Sequence, residues 1–409
     1  MSANFQPYLQ DALPAYLDIL KQMVGINSFT DNAAGVNALG NLTAEVFAEL
    51  GFSAESVQAD TPAFGKHLVM TRPKAPADAP TIGLVSHLDT VFPPEEEIQH
   101  NFSWRQEGDR IYGPGTVDIK GGTVGMFMLL DALKTLDPQT FESVNWVLLL
   151  NAAEERLSRD FGELCLARLP NTTLAALVFE GGRLQNNTFS LVVTRKGRAQ
   201  YTVKTFGKSA HAGNNHHLGA NAILQMAYTA QQIAALTDYD RHLTFNVGLI
   251  KGGSVVNRVP HYAEAAVEMR AFSAKIFDEG VKRMLALTGP GRVSSADGNY
   301  TCRVEVALKC QTSPWPQNPA TNHLYALWQS AARELGAQTA PDNRGGLSDG
   351  NLIWRAVPTL DGLGPSGANA HSSERSSDGS KEQEYVLASS FVPKTVLNLK
   401  AILKLLSKS

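Results

Sequence analysis

A histidine and an aspartate stand two residues apart where an apolar segment ends. His87 and Asp89 follow the run TIGLVS, and residues i and i+2 of a strand point to the same face. Two interpretations are open at this point. The pair is either a polar strand end that hydrogen-bonds to nearby loops, or His87 is a metal ligand whose ring is oriented by Asp89. The other strand ends of the chain have to decide between them.

Further ionisable residues stand where other apolar segments end. Ligand sites in open α/β sheets lie at the carboxyl ends of the strands, so these side chains can meet in one cleft. Together they offer two histidines and several carboxylates without a thiolate, which suits Zn²⁺. One bridging carboxylate, with one histidine and one terminal carboxylate for each ion, predicts the two-metal site of a hydrolase. The candidates are His87, Asp118 in GPGTVDIKGG, Glu154 and Glu155 after VNWVLLLNAA, Glu180 in LAALVFE, and His371 after VPTLDGLG.

Each candidate also has an ordinary structural interpretation. Glu154 and Glu155 could begin a solvated helix. His371 could be a loop histidine, and Asp118 could cap the helix that follows it. These interpretations would have to hold at every strand end at once. Consecutive residues at a strand end point in opposite directions, so Glu154 and Glu155 can divide metal binding and proton transfer between them.

Two kinds of secondary-structure pattern divide the chain. Up to residue 195, apolar strand segments alternate with helical ones, which predicts a mostly parallel sheet flanked by helices. Residues 196–310 follow the order βαββαβ and predict an inserted second domain. The α/β pattern returns over residues 311–409, so the first domain, 1–195 and 311–409, is split around the insert. The segment HSSERSSDGSKEQE is predicted to be an exposed connection.

Composition restricts the class of protein. The chain has 409 residues, of which 43% are hydrophobic and 18% charged, as expected for a globular protein of two domains. A net charge of −3 without a long basic run argues against a nucleic-acid partner, and no apolar run approaches membrane-spanning length. Three cysteines without C-x-x-C spacing argue against a disulfide framework. The start lacks the pattern of a secretory signal, so we expect the cytoplasm.

Several segments together resemble a known family of di-zinc peptidases, which includes bacterial glutamate carboxypeptidase, aminoacylase and the desuccinylase of lysine synthesis. The resemblance runs nearly end to end, with the insert in the corresponding place. It implies a split α/β catalytic domain and a ferredoxin-like βαββαβ insert that serves as lid and dimerisation domain of a homodimer. The segments are SHLDTVFP, GPGTVDIKGG, NAAEERLS, LVFEGG, KGRAQYTVKTFGKSAHAG and GPSGANAHSSE.

The resemblance also implies roles for residues of the first domain. Asp118 would bridge two zinc ions, and Asp89 would lie behind the ligand His87. Glu154 would be the general base, taking a proton from water and passing it to the leaving amine. The zinc ligands implied by the resemblance are His87, Asp118, Glu155, Glu180 and His371.

Three residues of the insert are implied to act on the substrate. His211 would reach the active site of the partner subunit and stabilise the oxyanion. Asn257 and Arg270 would hold the substrate, and Arg270 has the fork geometry that binds a free carboxylate. As alternatives, His211 could cap a loop, Asn257 could be a turn residue and Arg270 a surface residue of a strand.

The expected activity follows from the resemblance and from one departure within it. Ala152-Ala153 stands where the family commonly has Pro-Asp, which affects the backbone that aims Glu154. Glu180, where some members have Asp, favours a substrate with a free carboxylate. We expect a zinc-dependent carboxypeptidase, similar to glutamate carboxypeptidase, acting on small peptides. The alternatives are an N-acyl-amino-acid deacylase that uses the same residues, and a catalytically silent relative that binds a metabolite.

Overall fold

The computed structural model of the chain describes residues 4–72, 79–156 and 158–407. The chain divides into two compact units. Unit 1 comprises Met1–Val193, Gln317–Asn343 and Ser348–Ser409, and unit 2 comprises Thr194–Pro316 and Arg344–Leu347. A short segment from the later part of the chain therefore belongs to unit 2.

The helices and strands follow one another in the alternating order that the sequence predicts for unit 1. The helices are α1 Phe5–Val24, α2 Ala33–Ala48, α3 Pro94–Gln99, α4 Gly121–Leu136, α5 Pro138–Glu142, α6 Arg159–Arg168, α7 Ala222–Ala234, α8 Ala274–Leu285, α9 Pro319–Glu334, α10 Gly350–Ile353 and α11 Phe391–Leu406. The strands are β1 Ser53–Gln58, β2 Lys66–Thr71, β3 Thr81–His87, β4 Arg105–Glu107, β5 Arg110–Tyr112, β6 Asn145–Asn151, β7 Thr173–Val178, β8 Leu184–Gln185, β9 Thr188–Arg195, β10 Gly197–Phe206, β11 Thr244–Gly252, β12 Tyr262–Ala271, β13 Gly289–Ser294, β14 Thr301–Thr312, β15 Gln338–Arg344, β16 Thr359–Leu360, β17 Gly367–Ala368 and β18 Tyr385–Leu387. None of the helices in the described ranges has the length and apolar character needed to cross a membrane.

The main sheet of unit 1 has the strand order β1-β2-β6-β3-β7-β16 among the described residues. Strands β6, β3, β7 and β16 are parallel neighbours, as the sequence predicts. The other edge is different, because β2 pairs antiparallel with both β1 and β6. The link from β1 to β2 is too short for a parallel crossover, which needs about a dozen residues or more. All seven residues of β3 are buried, as expected for a parallel strand covered on both faces.

Helix α4 fixes the end of the segment that carries Asp118 to the strand ends. It is buried along most of its length and packs against α1, α11 and β3. Gly122 permits this contact, because a Cβ atom at that position would lie 1.9 Å from the backbone oxygen of Phe179. Only glycine lets the first turn of α4 pack this closely against the chain beyond β7, next to Glu180.

Unit 2 is an antiparallel sheet with strand order β11-β12-β10-β14-β13 and two helices packed on it. Burial alternates along β10, so one face of the sheet contacts α7 and α8. The order βαββαβ is present, with the additional strand β13 between α8 and β14. The sequence analysis missed β13 because its residues Gly289-Pro290-Gly291 are typical of a turn, whereas an edge strand also tolerates proline.

Candidate metal centre

Three parallel neighbours of the main sheet carry candidate residues to the same edge. His87 is the last residue of β3, a helical turn over Glu154–Arg156 follows β6, and Glu180 follows β7. Parallel strands end at a common edge, so these side chains are brought together by the sheet itself. Asp118 arrives from the segment before α4, and His371 from the connection between β17 and β18.

Asp118 lies between the two candidate histidines, with one carboxylate oxygen directed to each. Its Oδ1 is 3.1 Å from Nε2 of His87, and its Oδ2 is 3.2 Å from Nε2 of His371. Nε2 of His87 is also 3.8 Å from Oε1 of Glu180, and Nε2 of His371 is 3.1 Å from Oε1 of Glu155. The structure thus brings all five predicted ligands together, in two groups that share Asp118.

The donor atoms in each group are close enough to hold a metal ion. In the groups His87, Asp118, Glu180 and Asp118, Glu155, His371, the donor atoms all lie within 4.8 Å of one another. His87, Glu154 and Glu155 form a third group of this kind. Two imidazoles and three carboxylates are a donor set that suits metal ions such as Zn²⁺, and Asp118 belongs to both of the groups that contain His87 with Glu180 and His371 with Glu155.

His371 has an unusual backbone conformation. Its φ angle is 67°, in the left-handed region that residues other than glycine seldom adopt, and its side chain is 51% exposed. Asn369, two residues earlier, has a φ angle of 62°. A loop histidine held in this conformation, with its ring against two carboxylates, differs from an ordinary solvated loop residue.

Asp89 orients both His87 and the turn that carries the glutamate pair. Nδ1 of His87 is 2.9 Å from the backbone oxygen of Asp89, so Nδ1 carries the proton and Nε2 is left as the donor atom for a metal. The buried Asp89 carboxylate accepts hydrogen bonds from the backbone N–H groups of Glu154 at 3.0 Å and Glu155 at 3.2 Å. The Thr30 hydroxyl donates to it at 2.7 Å. The sequence analysis did not identify Thr30, and its position before α2 offered no signal.

The charges of the site favour a cation between the donor atoms. Burial would raise the pKa of Asp118, but its hydrogen bonds with His371 and His87 outweigh this and lower the pKa below its usual range. The hydrogen bonds to Asp118 and Glu155 raise the pKa of His371 to about 11. Positive charge on His371 is thus stabilised by the neighbouring carboxylates, and a bound metal ion would be stabilised by the same carboxylates.

Glu154 is suited to proton transfer by its surroundings. Burial raises the pKa of its carboxyl group well above the usual range, against the opposing effect of His87. The neighbouring carboxylates of Glu155, Asp349 and Glu180 raise that pKa further. A carboxyl group whose pKa is raised holds a proton more readily between its uptake and its release, as a general base requires.

Glu384 is a residue of the site that the sequence analysis missed. It was placed in an exposed connection, but Glu384 itself is fully buried, and this part of the prediction is wrong. Its Oε1 accepts hydrogen bonds from the backbone N–H groups of Val117 at 2.9 Å and Asp118 at 3.1 Å. Burial, and then the charge of Asp118, raise the pKa of Glu384 to about 8. The sequence feature that could have indicated a buried position is that Glu384 directly precedes the apolar strand Tyr385–Leu387.

The three predicted residues of the insert lie in unit 2. His211 is exposed, and its Nδ1 accepts hydrogen bonds from the N–H groups of Gly213 and Asn214, both at 3.1 Å. The exposed Asn257 accepts a hydrogen bond at its backbone oxygen from the N–H of Ala212, at 3.0 Å. His211 and Asn257 therefore belong to adjacent segments, and their catalytic roles stay predictions.

Arg270 already has two partners within unit 2. Its Nε donates to Oε1 of Glu268 at 2.6 Å, and its Nη1 donates to the backbone oxygen of Gly345 at 2.7 Å. The guanidinium group is held in a defined position while its side chain remains partly exposed. Its role in substrate binding also stays a prediction.

The donor set and the fold that carries it are those of a metal-dependent hydrolase. The chain belongs to Peptidase family M20/M25/M40, whose sequence pattern it matches over residues 83–398. Family membership confirms the resemblance that the motifs indicated. It also confirms the expectation of an enzyme that hydrolyses amide bonds.

Individual relatives span most of the chain. It is 26% identical to carboxypeptidase G2 of Pseudomonas sp. (strain RS-16) over 364 residues, covering 88% of this chain and 84% of the relative. It is 25% identical to acetylornithine deacetylase of Klebsiella pneumoniae (strain 342), covering 88% and 92% of the two chains. The structure of a tripeptidase from Staphylococcus aureus superposes with a TM-score of 0.76 at 22% identity, covering 96% of this chain and 98% of the other. This similarity confirms the predicted fold class.

Proposed function

We propose that the protein is a zinc-dependent carboxypeptidase, which hydrolyses the amide bond before a C-terminal amino acid with a free carboxylate. The observation that carries the proposal is the position of Asp118 between His87 and His371, with Glu180 and Glu155 completing the two groups of donors. We infer two zinc ions per chain from this arrangement.

The proposed reaction assigns separate tasks to the two glutamates after β6. Zinc ions bound by the five donors would polarise the scissile carbonyl group and promote ionisation of water. Glu155 is a ligand, and Glu154 takes a proton from the attacking water and delivers it to the leaving amine nitrogen. Asp89 supports both tasks, because its carboxylate binds the backbone of both glutamates and its backbone oxygen orients His87.

Two observations support a carboxypeptidase. The similarity to carboxypeptidase G2 covers most of both chains, and Glu180 stands at the ligand position where the family resemblance associates Glu with substrates that have a free carboxylate. A deacylase of N-acyl amino acids is the second candidate, because a similarity of nearly the same extent joins the chain to acetylornithine deacetylase. The catalytically silent alternative is not supported, since Glu154 lies within reach of a complete donor set.

We further propose that residues of unit 2 bind the substrate. Arg270 pairs with the free carboxylate, and its present partners, Glu268 and Gly345, hold the guanidinium ready for this. Asn257 holds the substrate, and His211 stabilises the oxyanion in the active site of a partner subunit.

A homodimer through unit 2 is the proposed assembly. Strand β11 lies at an edge of the sheet in the described part of the chain, where an unpaired strand edge can join another copy. Large apolar side chains are exposed on β11 and in the segment after it, namely Leu249, Ile250, Val255 and Val256. An exposed apolar patch of this kind is typical of an interaction surface.

The cytoplasm remains the proposed location. Cys165, Cys302 and Cys310 are all free thiols. Free cysteines are usual in a reducing compartment, which agrees with the proposal. Fractionation of the source cells, with the protein found outside the cytoplasmic fraction, would contradict it.

The deciding experiment combines metal analysis with a matched substrate panel. The purified protein should contain or take up about two Zn²⁺ ions per chain, measured by elemental analysis. The panel pairs N-acyl amino acids and dipeptides with their C-terminal amides. A carboxypeptidase cleaves the peptides with a free carboxylate and leaves the amides intact, whereas a deacylase prefers simple acetyl or succinyl groups. Failure to bind Zn²⁺ or Co²⁺ would rule out the proposed function.

A further inference from the structure

Ala152 has a buried backbone N–H just beyond the end of β6. Ala152 and Ala153 are both 0% exposed, and they connect the strand to the turn that carries Glu154. A backbone N–H that is shielded from water needs a hydrogen-bond acceptor, because an unsatisfied one destabilises the fold. The partner of this N–H therefore affects how the turn is held.

That partner is the side chain of His67, which lies on β2. Its Nδ1 accepts a hydrogen bond from the N–H of Ala152 at 3.1 Å. Since Nδ1 accepts, the ring proton is on Nε2, which donates to Oδ2 of Asp160 at 3.0 Å. His67 is 1% exposed and its ring lies 5.2 Å from that of Phe161, so both its position and its tautomer are determined.

The backbone N–H groups of residues 152–155 are all held by side chains. His67 binds Ala152, and the side-chain oxygen of Asn151 accepts from Ala153 at 2.9 Å. The carboxylate of Asp89 binds the next two, as described above. Asp89 also contacts His87, whereas His67 contacts none of the proposed metal ligands through the hydrogen bonds described. His67 thus acts on the turn without acting on the metal site directly.

We propose that His67, held by Asp160, is a positioning residue for Glu154: it fixes the turn that aims the carboxyl group of the base. The proposal rests on the proposed function, in which Glu154 transfers the proton. His67 does not touch the reacting atoms, so its effect must pass through the backbone of Ala152. Small displacements of a catalytic group reduce turnover much more than they reduce substrate binding.

Three variants distinguish the effect of the hydrogen bond between His67 and Ala152 from the effect of packing by the His67 ring. His67→Leu removes the acceptor and leaves the Ala152 N–H unsatisfied. His67→Asn keeps an oxygen near the place of Nδ1. In the double variant His67→Leu with Ala152→Pro, residue 152 has no backbone N–H, so no acceptor is needed there. Asn151 precedes it at the end of β6, and the extended backbone of a strand is compatible with a following proline. Ala152→Pro alone is the control for the proline.

At saturating zinc, we expect kcat of His67→Leu to fall about tenfold or more, with KM nearly unchanged. His67→Asn should retain most of the activity, and the double variant should recover most of what His67→Leu loses. Unchanged kcat in a folded His67→Leu protein would overturn the proposal, as would a double variant that is no better than His67→Leu. If His67→Leu fails to fold, an active double variant supports the proposal, and an unfolded or inactive one contradicts it.

Amide hydrogen exchange provides a readout that does not depend on activity. In the metal-free protein, the Ala152 N–H should exchange slowly, and His67→Leu should accelerate its exchange while core strand amides stay protected. Fast exchange at Ala152 in the unmodified protein would contradict the hydrogen bond and the proposal with it. If the substrate panel and zinc binding both fail, the proposed function is wrong, and the exchange result still decides whether His67 holds the turn.

Discussion

The candidate residues of unit 1 and those of unit 2 are held in very different ways. The side chains of His87 and Asp89 are 1% and 0% exposed, and the Asp89 carboxylate accepts hydrogen bonds from three other residues. In unit 2, Arg270 is 28% exposed, and its ion pair is with Glu268, two residues away in the same strand. His211 is exposed, and its ring bonds only to its own loop in the described contacts.

This difference indicates which parts of the site are complete in one chain. Nδ1 of His87 is held by a buried hydrogen bond before any ligand arrives, as a preorganised metal site requires, although His371 at the rim of the site is 51% exposed. The residues of unit 2 are held by local contacts that a substrate carboxylate or a second subunit can replace. Substitutions of the site residues in unit 1 should therefore affect metal binding or turnover with every substrate, while the effects of those in unit 2 should depend on the substrate or on assembly.

The largest effect is expected at the shared carboxylate. Asp118→Ala removes a donor from both groups, so zinc content should fall from about two ions to less than one and activity should be lost. Elemental analysis and hydrolysis assays measure these changes. The control is Glu163→Ala, which alters an exposed acid of α6 and should leave both values unchanged. A variant that kept two zinc ions would show that Asp118 does not bridge.

Glu154→Gln should come next, because it removes the proton acceptor and keeps the shape of the side chain. We expect kcat to fall by at least about a hundredfold, with zinc content close to that of the unmodified protein. Glu155→Gln, at the neighbouring position, should lower zinc content instead. The opposite pattern would exchange the roles of the two residues.

Substitutions of Glu384 test whether zinc binding depends on the hydrogen bonds that hold the backbone of Asp118. Glu384→Ala leaves the N–H groups of Val117 and Asp118 without their acceptor, and zinc affinity should weaken by about 10- to 100-fold. Glu384→Gln keeps an oxygen there and should weaken affinity much less. Isothermal titration with Zn²⁺ measures both variants. Equal losses in the two variants would mean that the charge of Glu384 matters rather than its hydrogen bonds.

Arg270→Lys should have a smaller effect that depends on the substrate. An ammonium group cannot reproduce the two parallel hydrogen bonds of a guanidinium, so kcat/KM for substrates with a free carboxylate should fall about tenfold. Any cleavage of amidated substrates should hardly change. An equal loss on both kinds of substrate would indicate that Arg270 maintains the structure of unit 2 through Glu268 and Gly345.

The smallest signal is expected from subunit complementation. Inactive Glu154→Gln protein mixed with inactive His211→Ala protein should regain up to about a quarter of full activity, because half of the dimers are mixed and each has one complete site. Subunit exchange is verified separately with differently tagged chains. A mixture that exchanges subunits and stays inactive would show that His211 does not act across a dimer interface.

Part of the fold and of the candidate site could be predicted because it depends on local pattern. Apolar runs such as Thr81–His87 become buried strands, and parallel strands end at one edge, so ionisable residues after them converge. Burial of Glu384 could not be predicted in the same way. Its contact with Asp118 joins residues that are 266 positions apart. The polar residues that precede Glu384 predict an exposed loop and give no indication that Glu384 itself is buried.

The sequence by itself determined the types of donor, their order along the chain and the α/β scaffold, since residue type and period are local properties. The tertiary structure alone decided which oxygen of Asp118 faces which histidine, that β2 runs antiparallel to β6, and that His67 binds Ala152, 85 positions away. Those contacts result from strand register and close packing, which bring distant residues together through the whole fold rather than through any one segment.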